Sequence, residues 1–125
     1  DANPKELWDR ADSLGVMVLE REAMEAGNLA SLLDRLRQFT ERLDALYLSI
    51  DLDGFSSAYA PGVSAASPMG FPVEALIPCL DMLLGSGKVL SMDIAELNPS
   101  HDRDSQTAVL AASLVHRVLH FPGLF

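Results

Sequence analysis

The chain has 125 residues, 49% of them apolar and 22% charged, which is enough to bury a core and excludes a disordered chain. Its 9 basic and 18 acidic residues give a formal net charge of -9 without a run of Lys or Arg, which argues against nucleic acid and anionic membranes as partners. The longest apolar runs are too short to span a bilayer, and the single cysteine, Cys79, excludes an intrachain disulfide, so we expect a cytoplasmic protein.

The first predicted element is a helix over residues 4–14. Asn3 and Pro4 are typical of a helix cap and a first turn, and apolar residues then recur at helical spacing. The continuous apolar run 16–19 predicts a short strand that is buried on both faces. The sequence begins with neither an initiator Met nor a basic leader, so we expect a piece of a longer gene product.

Five further elements alternate along the rest of the chain. A stripe of leucines predicts an amphipathic helix over 28–43. Short apolar runs predict strands over 45–50 and 89–95, and helical spacing predicts helices over 72–84 and 104–120. This alternation is typical of a three-layer αβα fold around a mainly parallel sheet with right-handed crossovers. We expect residues 1–125 to form a single domain of this class.

Acidic residues follow two of the predicted strands. Asp51 and Asp53 come at the carboxyl end of one strand, and Glu96 comes at the carboxyl end of the next. Parallel sheets collect functional residues at this edge, so we expect the three acids to share one rim. Residues two apart on an extended chain face the same side, which would place Ser49 behind the two aspartates as a supporting donor.

Two like charges this close need a cation or shared protons. Carboxylate oxygens favour Mg²⁺ or Mn²⁺, so Asp51 and Asp53 are candidate metal ligands. The alternative is that both are turn residues, since Asp is common in turns and Gly54 follows. Glu96 has a similar alternative, a solvated acid at the end of a strand.

The other candidate side chains have simpler interpretations. Asp93 interrupts an apolar strand, so we interpret it as a supporting residue that needs hydrogen bonds or a cation. His101 could reach the same rim, although a single loop histidine is usually a surface residue. His116 and His120 are four residues apart, which the polar face of a helix explains better than a metal pair. Cys79 is expected to be a small buried thiol.

Three segments together resemble the carboxyl-terminal portion of the ureohydrolases, the superfamily of arginases, agmatinases and formimidoylglutamases. They are SIDLD at 49–53, APGVSAASPMGF at 60–71 and DIAELNPSHDRDSQTAVLAASLV at 93–115. Arginases and agmatinases usually continue the first motif with a further Asp-Pro, whereas GFSSAY intervenes here at 54–59. The sequence therefore more closely resembles the formimidoylglutamases, which hydrolyse a small-molecule amidine, N-formimidoyl-glutamate.

The resemblance implies that Asp51 and Asp53 are ligands of a dinuclear Mn²⁺ centre and that Glu96 meets the amidine group of the substrate. The superfamily's other ligands come from an earlier G-G-D/G-H motif and a D-A-H-x-D motif, and neither occurs in this sequence. We therefore expect the chain alone to be inactive. Without the superfamily's earlier strands the sheet would expose an edge and a face, which predicts a homo-oligomer.

Three alternatives remain at the level of sequence. The chain could be a non-catalytic oligomerisation module or a decayed paralogue that keeps the arginase-like fold. It could belong to an arginase-type or agmatinase-type guanidine hydrolase. An unrelated phosphotransfer or glycosyltransferase D-x-D site would share the paired acids, but it would not account for the AELNP and APGVS segments.

Overall fold

The structure of the chain, a computed structural model, describes residues 5–123. Four helices and two strands account for most of this length, with short 3-10 segments at Arg21–Met24, Ala26–Asn28 and Leu52–Gly54. The elements in chain order are α1 (Lys5–Ser13), α2 (Leu29–Glu41), β1 (Leu46–Asp51), α3 (Val73–Gly85), β2 (Val89–Ala95) and α4 (Gln106–Leu119). The helix start predicted at Asn3 and Pro4 lies outside the described residues.

The prediction of a strand over residues 16–19 is wrong. Residues 16–20 belong to no helix or strand, and the side chains of Val16 and Val18 are 51% and 40% exposed. The Val16 N–H donates to the carbonyl of Ala11 at 3.0 Å, so the segment begins as the end of the α1 turn. A strand exists only where a neighbour completes its hydrogen bonds, and in residues 5–123 β1 and β2 pair only with each other.

The other predicted elements are confirmed, with ends that differ by at most two residues. β1 and β2 are adjacent and parallel, and α3 forms the crossover between them, so the prediction of an α/β protein with parallel strands is also confirmed. Leu46 pairs with Val89, but Tyr47 pairs with Ser91, because Leu90 is an extra residue in β2. From there the register is regular to the end of the sheet, where Asp51 lies opposite Ala95.

The hydrophobic core lies on one face of this sheet. Alternate β1 residues point inward, so Leu48 and Ile50 pack in the core whereas Tyr47 and Ser49 are exposed. The helices supply the other side of the core through Leu80 and Leu84 of α3 and Leu114 and Val118 of α4. No helix within residues 5–123 has both the length and the apolar character needed to cross a bilayer.

The segment that follows β1 is fixed by two fully buried side chains, Leu52 and Phe55. The Phe55 ring packs against that of Phe71 with centroids 4.5 Å apart. Backbone bridges then join Phe55 to Phe71 and Ser56 to Ser67, which closes residues 55–71 into a loop attached to the carboxyl end of β1.

Candidate functional site

The carboxyl end of β1 turns sharply between the two candidate metal ligands. Asp51 ends the strand, and its Oδ1 accepts a hydrogen bond at 2.9 Å from the backbone N–H of Asp53. Leu52, between them, is fully buried and anchors the turn in the core. The two acids therefore do lie in a turn of the backbone. What their carboxylates can bind depends on the groups around them.

The Asp53 carboxylate has one oxygen without a partner. Its Oδ1 is buried, and no hydrogen bond reaches it from the described part of the chain. A buried carboxylate oxygen in this state is costly unless a donor or a cation satisfies it. The environment of Asp53 therefore fits that of a metal ligand. Within residues 5–123, however, no three His, Cys, Asp or Glu side chains cluster closely enough to hold a metal ion.

Glu96 lies at the same edge of the sheet, because Asp51 pairs with Ala95 and Glu96 is the next residue. Its side chain is exposed, and its backbone is left-handed with φ 69°. This conformation is strained for a residue with a side chain, and such strain is common at functional sites. The Oε2 atom of Glu96 accepts a hydrogen bond at 3.2 Å from the hydroxyl of Ser64.

The loop that carries Ser64 is tied to the connection that carries Glu96. The Gly62 N–H donates to the Thr107 hydroxyl at 2.7 Å, and the Gly62 carbonyl accepts from the Asn98 N–H at 2.8 Å. The Nδ1 atom of His101 lies 3.2 Å from the Val63 carbonyl, to which it can only donate. His101, for which the sequence left open a place at the rim or an ordinary surface position, is exposed and contacts the loop that carries Ser64.

Asp102 holds this connection at the start of α4. Its Oδ1 accepts from the N–H groups of Thr107 and Arg103 at 2.9 and 3.0 Å, and its Oδ2 accepts from that of Ala108 at 3.0 Å. Partial burial raises the pKa of this carboxyl, but the hydrogen bonds from Thr107, Ala108 and Arg103 outweigh it and lower the pKa below its ordinary value. A Cβ atom on Gly62 would lie 2.5 Å from Asp102, so the glycine permits this close approach.

Replacing Asp102 by asparagine is expected to reduce the loss of folding stability as the pH is lowered. Because the folded-state pKa is lowered, the ionised carboxylate contributes stability above its ordinary pKa of 3.8, and this contribution is lost as the pH falls through the lower folded value. Urea midpoints measured from about pH 6 to about pH 3 should fall more steeply for the wild type than for Asp102→Asn. The control is the exposed Asp104→Asn, which should follow the wild type, and equal slopes for all three proteins would contradict the assignment.

Two predictions about the remaining polar residues have different outcomes. The prediction that Ser49 supports Asp51 and Asp53 is wrong. The Ser49 hydroxyl donates instead to Oδ1 of Asp93 at 2.7 Å. The physical reason is that Ser49 and Asp93 are register partners, so their side chains lie together on one face. Asp93, predicted to need a hydrogen bond, receives one from Ser49.

The His and Cys side chains outside the rim behave as structural residues. The rings of His116 and His120 stack with centroids 4.0 Å apart on α4, and Nδ1 of His120 donates to the carbonyl of His116 at 2.9 Å. Cys79 is buried, and its thiol lies 3.3 Å from the carbonyl of Ala75. Burial raises the pKa of the Cys79 thiol, which disfavours the reactive thiolate.

The sequence profile described as "Arginase family" matches residues 2–120. Among curated proteins, the chain is 42% identical to a formimidoylglutamase of Aeromonas hydrophila over 94% of its own length and 38% of that protein. It is 46% identical to a formimidoylglutamase of Vibrio cholerae over 90% of its length and 34% of that protein. The chain thus spans little more than a third of these relatives.

Solved structures show the same fold. The chain superposes on the arginase of Bacillus caldovelox with a TM-score of 0.83 at 21% identity, covering 96% of the chain and 40% of the arginase. It also superposes with a TM-score of 0.83 on the formimidoylglutamase of Bacillus subtilis at 21% identity, covering 94% of the chain and 37% of that protein. The predicted arginase-like fold and the resemblance to the ureohydrolases are confirmed.

Proposed function

The chain belongs to the arginase family, and from this membership we propose that its 125 residues are one domain corresponding to the carboxyl-terminal portion of a Mn²⁺-dependent amidine hydrolase. The proposed activity is that of formimidoylglutamase, the conversion of N-formimidoyl-L-glutamate and water into L-glutamate and formamide. The similarity to formimidoylglutamases of Aeromonas hydrophila and Vibrio cholerae supports this choice. The observation that carries it is the strand register, which aligns Asp51 with Ala95 and so brings Asp51 and Glu96 to one edge.

In the proposed mechanism Asp51 and Asp53 would hold divalent ions at the end of β1. The buried and unpartnered Oδ1 of Asp53 supports this assignment, because a bound cation would satisfy it. Bound Mn²⁺ would supply a water with a lowered pKa that can attack the amidine carbon at neutral pH. Two carboxylates cannot complete such a centre, so the remaining ligands would come from polypeptide beyond these residues. We therefore propose that the chain alone is inactive.

Glu96 would bind the cationic amidinium group of the substrate. Its two carboxylate oxygens can accept two parallel N–H bonds, which orients the planar group and balances its charge. During hydrolysis the water oxygen becomes the formamide oxygen, the bond from the amidine carbon to the glutamate nitrogen breaks, and that nitrogen leaves with a proton. Orientation by Glu96 holds the amidine carbon in place for this attack.

A chimeric protein provides the test of activity. This chain would replace the matching 34% of the Vibrio cholerae formimidoylglutamase, and glutamate release would be measured with Mn²⁺ present. We expect hydrolysis of N-formimidoyl-L-glutamate, with losses of at least about 100-fold for Asp53→Asn and Glu96→Gln. The exposed Asp104→Asn is the control. Preferential hydrolysis of arginine or agmatine would favour a guanidine hydrolase, and a folded but inactive chimera would favour a decayed paralogue.

The chain alone is expected to bind Mn²⁺ with a Kd of roughly 1 mM or weaker, because two carboxylates leave most of the coordination positions to water. Electron paramagnetic resonance of free Mn²⁺ measures this affinity directly. The Asp53→Asn variant should bind several-fold more weakly, whereas Asp104→Asn should match the wild type. Micromolar binding by the wild type would contradict the proposal that the centre is incomplete in this chain.

We also propose that the chain forms a homo-oligomer through the edge of β2 that no other strand of residues 5–123 covers. A groove of about 650 Å³ runs along this strand and α4, and its apolar lining includes Leu90, Met92 and Leu119. Leu90 is 76% exposed, and an exposed strand edge tends to pair with another chain. Sedimentation should detect a dimer or larger species that Leu90→Lys shifts toward monomer, with Val109→Lys on the outer surface of α4 as the control. A monomeric wild type would contradict this proposal.

The cytoplasm is part of the same proposal. The single cysteine of the chain, Cys79, is a buried free thiol and needs no oxidising compartment.

A further inference from the structure

The side chain of Ser64 is exposed directly after a buried residue. Val63, the residue before it, is only 2% exposed, whereas the side chain of Ser64 is exposed at the rim. Its hydroxyl donates to Oε2 of Glu96 at 3.2 Å, although the two residues are 32 positions apart in sequence. The hydrogen bond therefore joins a loop that follows β1 to the residue that follows β2.

The backbones on both sides of this hydrogen bond are held in place. Ahead of Ser64, the Gly62 N–H and carbonyl are bonded to Thr107 and Asn98, and the Val63 carbonyl accepts from His101. On the other side, the left-handed φ of 69° directs Glu96 away from the path of β2. The two side chains thus emerge from segments that are already tied together, so the hydrogen bond costs little additional ordering.

We propose that Ser64 is a positioning residue that sets the plane of the Glu96 carboxylate for a planar, cationic head group. This inference rests on the proposed function, in which Glu96 binds the amidinium of the substrate. The Ser64 hydroxyl occupies one lone pair of Oε2. Oε1 and the second lone pair of Oε2 remain available for two parallel N–H groups.

The shape of the ligand determines how much this positioning matters. An amidinium makes two hydrogen bonds only when its plane coincides with that of the carboxylate, so a carboxylate that rotates freely loses binding. An ammonium ion presents its donors in three directions and binds almost equally well to any rotamer. Ser64 should therefore raise the affinity for an amidinium and leave the affinity for an ammonium nearly unchanged.

The test uses the full chain, labelled with ¹³C and ¹⁵N, and two probes, acetamidinium and methylammonium. NMR measures two quantities at Glu96: the rotamer distribution, from three-bond couplings of its side chain, and probe binding, from the shift of its carboxylate carbon. For Ser64→Ala we expect an averaged rotamer distribution and about threefold weaker binding of acetamidinium, with methylammonium unchanged. Ser64→Thr should restore both quantities, and the exposed Ser100→Ala should match the wild type.

The outcomes separate the positioning role from the proposed function. Equal loss of both probes in Ser64→Ala, or an unchanged rotamer distribution, would overturn the role of Ser64. If the wild type shows an ordered Glu96 that averages in Ser64→Ala, but acetamidinium shifts Glu96 no more than it shifts the exposed Glu41, then Ser64 orders Glu96 and the substrate-binding role of Glu96 is wrong. That result would contradict the proposal that Glu96 binds a planar cation, while the hydrogen bond between Ser64 and Glu96 would still stand.

Discussion

Replacing Phe55 by alanine is expected to lower the free energy of unfolding by about 3–5 kcal/mol, the usual cost of truncating a buried phenylalanine. Phe55 is 0% exposed, and its ring packs at 4.5 Å against that of Phe71. It comes two residues after Asp53, so the cavity would open beneath the turn that holds the candidate metal ligands. Urea unfolding followed by circular dichroism measures the change.

The matched control for this variant is Phe39→Ala on α2, whose side chain is 38% exposed. The same atoms are removed there from a site that is partly in solvent, so the loss should be less than half as large. A similar loss for both variants would show that Phe55 contributes no more to stability than the partly exposed Phe39 does. In that case the buried turn could not be what fixes Asp51 and Asp53.

Replacing Gly70 by alanine is expected to cost about 3 kcal/mol, at the upper end of the range for overpacking. A Cβ atom at this position would lie 2.3 Å from the carbonyl carbon of Phe55 and 2.5 Å from the Ser56 nitrogen. These are backbone atoms, and the Ser56 N–H is bonded to the Phe71 carbonyl at 3.0 Å, so they cannot move without breaking the bridge. The loop that carries Ser64 would detach at its far end.

Gly27→Ala provides the comparison, because a Cβ atom there would meet nothing within 4 Å. Its effect should stay within about 0.5 kcal/mol, as for most surface substitutions. Thermal unfolding of both variants measures the difference in stability, and the NMR couplings of Glu96 show whether its rotamer averages in Gly70→Ala. A Gly70 variant as stable as the Gly27 variant would mean that the loop can separate from β1 without cost.

Most of the fold could be predicted from periodicity. The strand predicted at 89–95 is β2 as observed, and the long leucine stripe located α2 to within two residues. These elements are specified by their own residues, because the apolar residues of each recur with the period of a helix or a strand and so form one buried face. The run 16–19 is equally apolar, but a strand also needs a partner, and a local pattern contains no information about one.

The candidate site was predictable only in part. The three acids follow from the rule that parallel strands end at a common edge, and the register agrees with it. Ser64 and Thr107 were missed, because their contacts with Glu96 and Gly62 join residues 32 and 45 positions apart. Asp102 was missed as a helix cap because it bonds to α4 from outside the expected position, across the left-handed residues Asp104 and Ser105.

The extra residue at the start of β2 determines which atoms meet at the opposite end of the sheet. If Leu90 paired with Tyr47 instead of bulging, the pairing that starts at Leu46 and Val89 would continue in step, and Asp51 would face Ile94 instead of Ala95. The bulge at a single exposed leucine therefore sets the register of the two strands. This leucine lies roughly 20 Å from the acids, at 3.3 Å per residue. A ladder that took Leu90 into its pairing would keep every acid in the sequence and would misalign the edge on which the proposed hydrolysis depends.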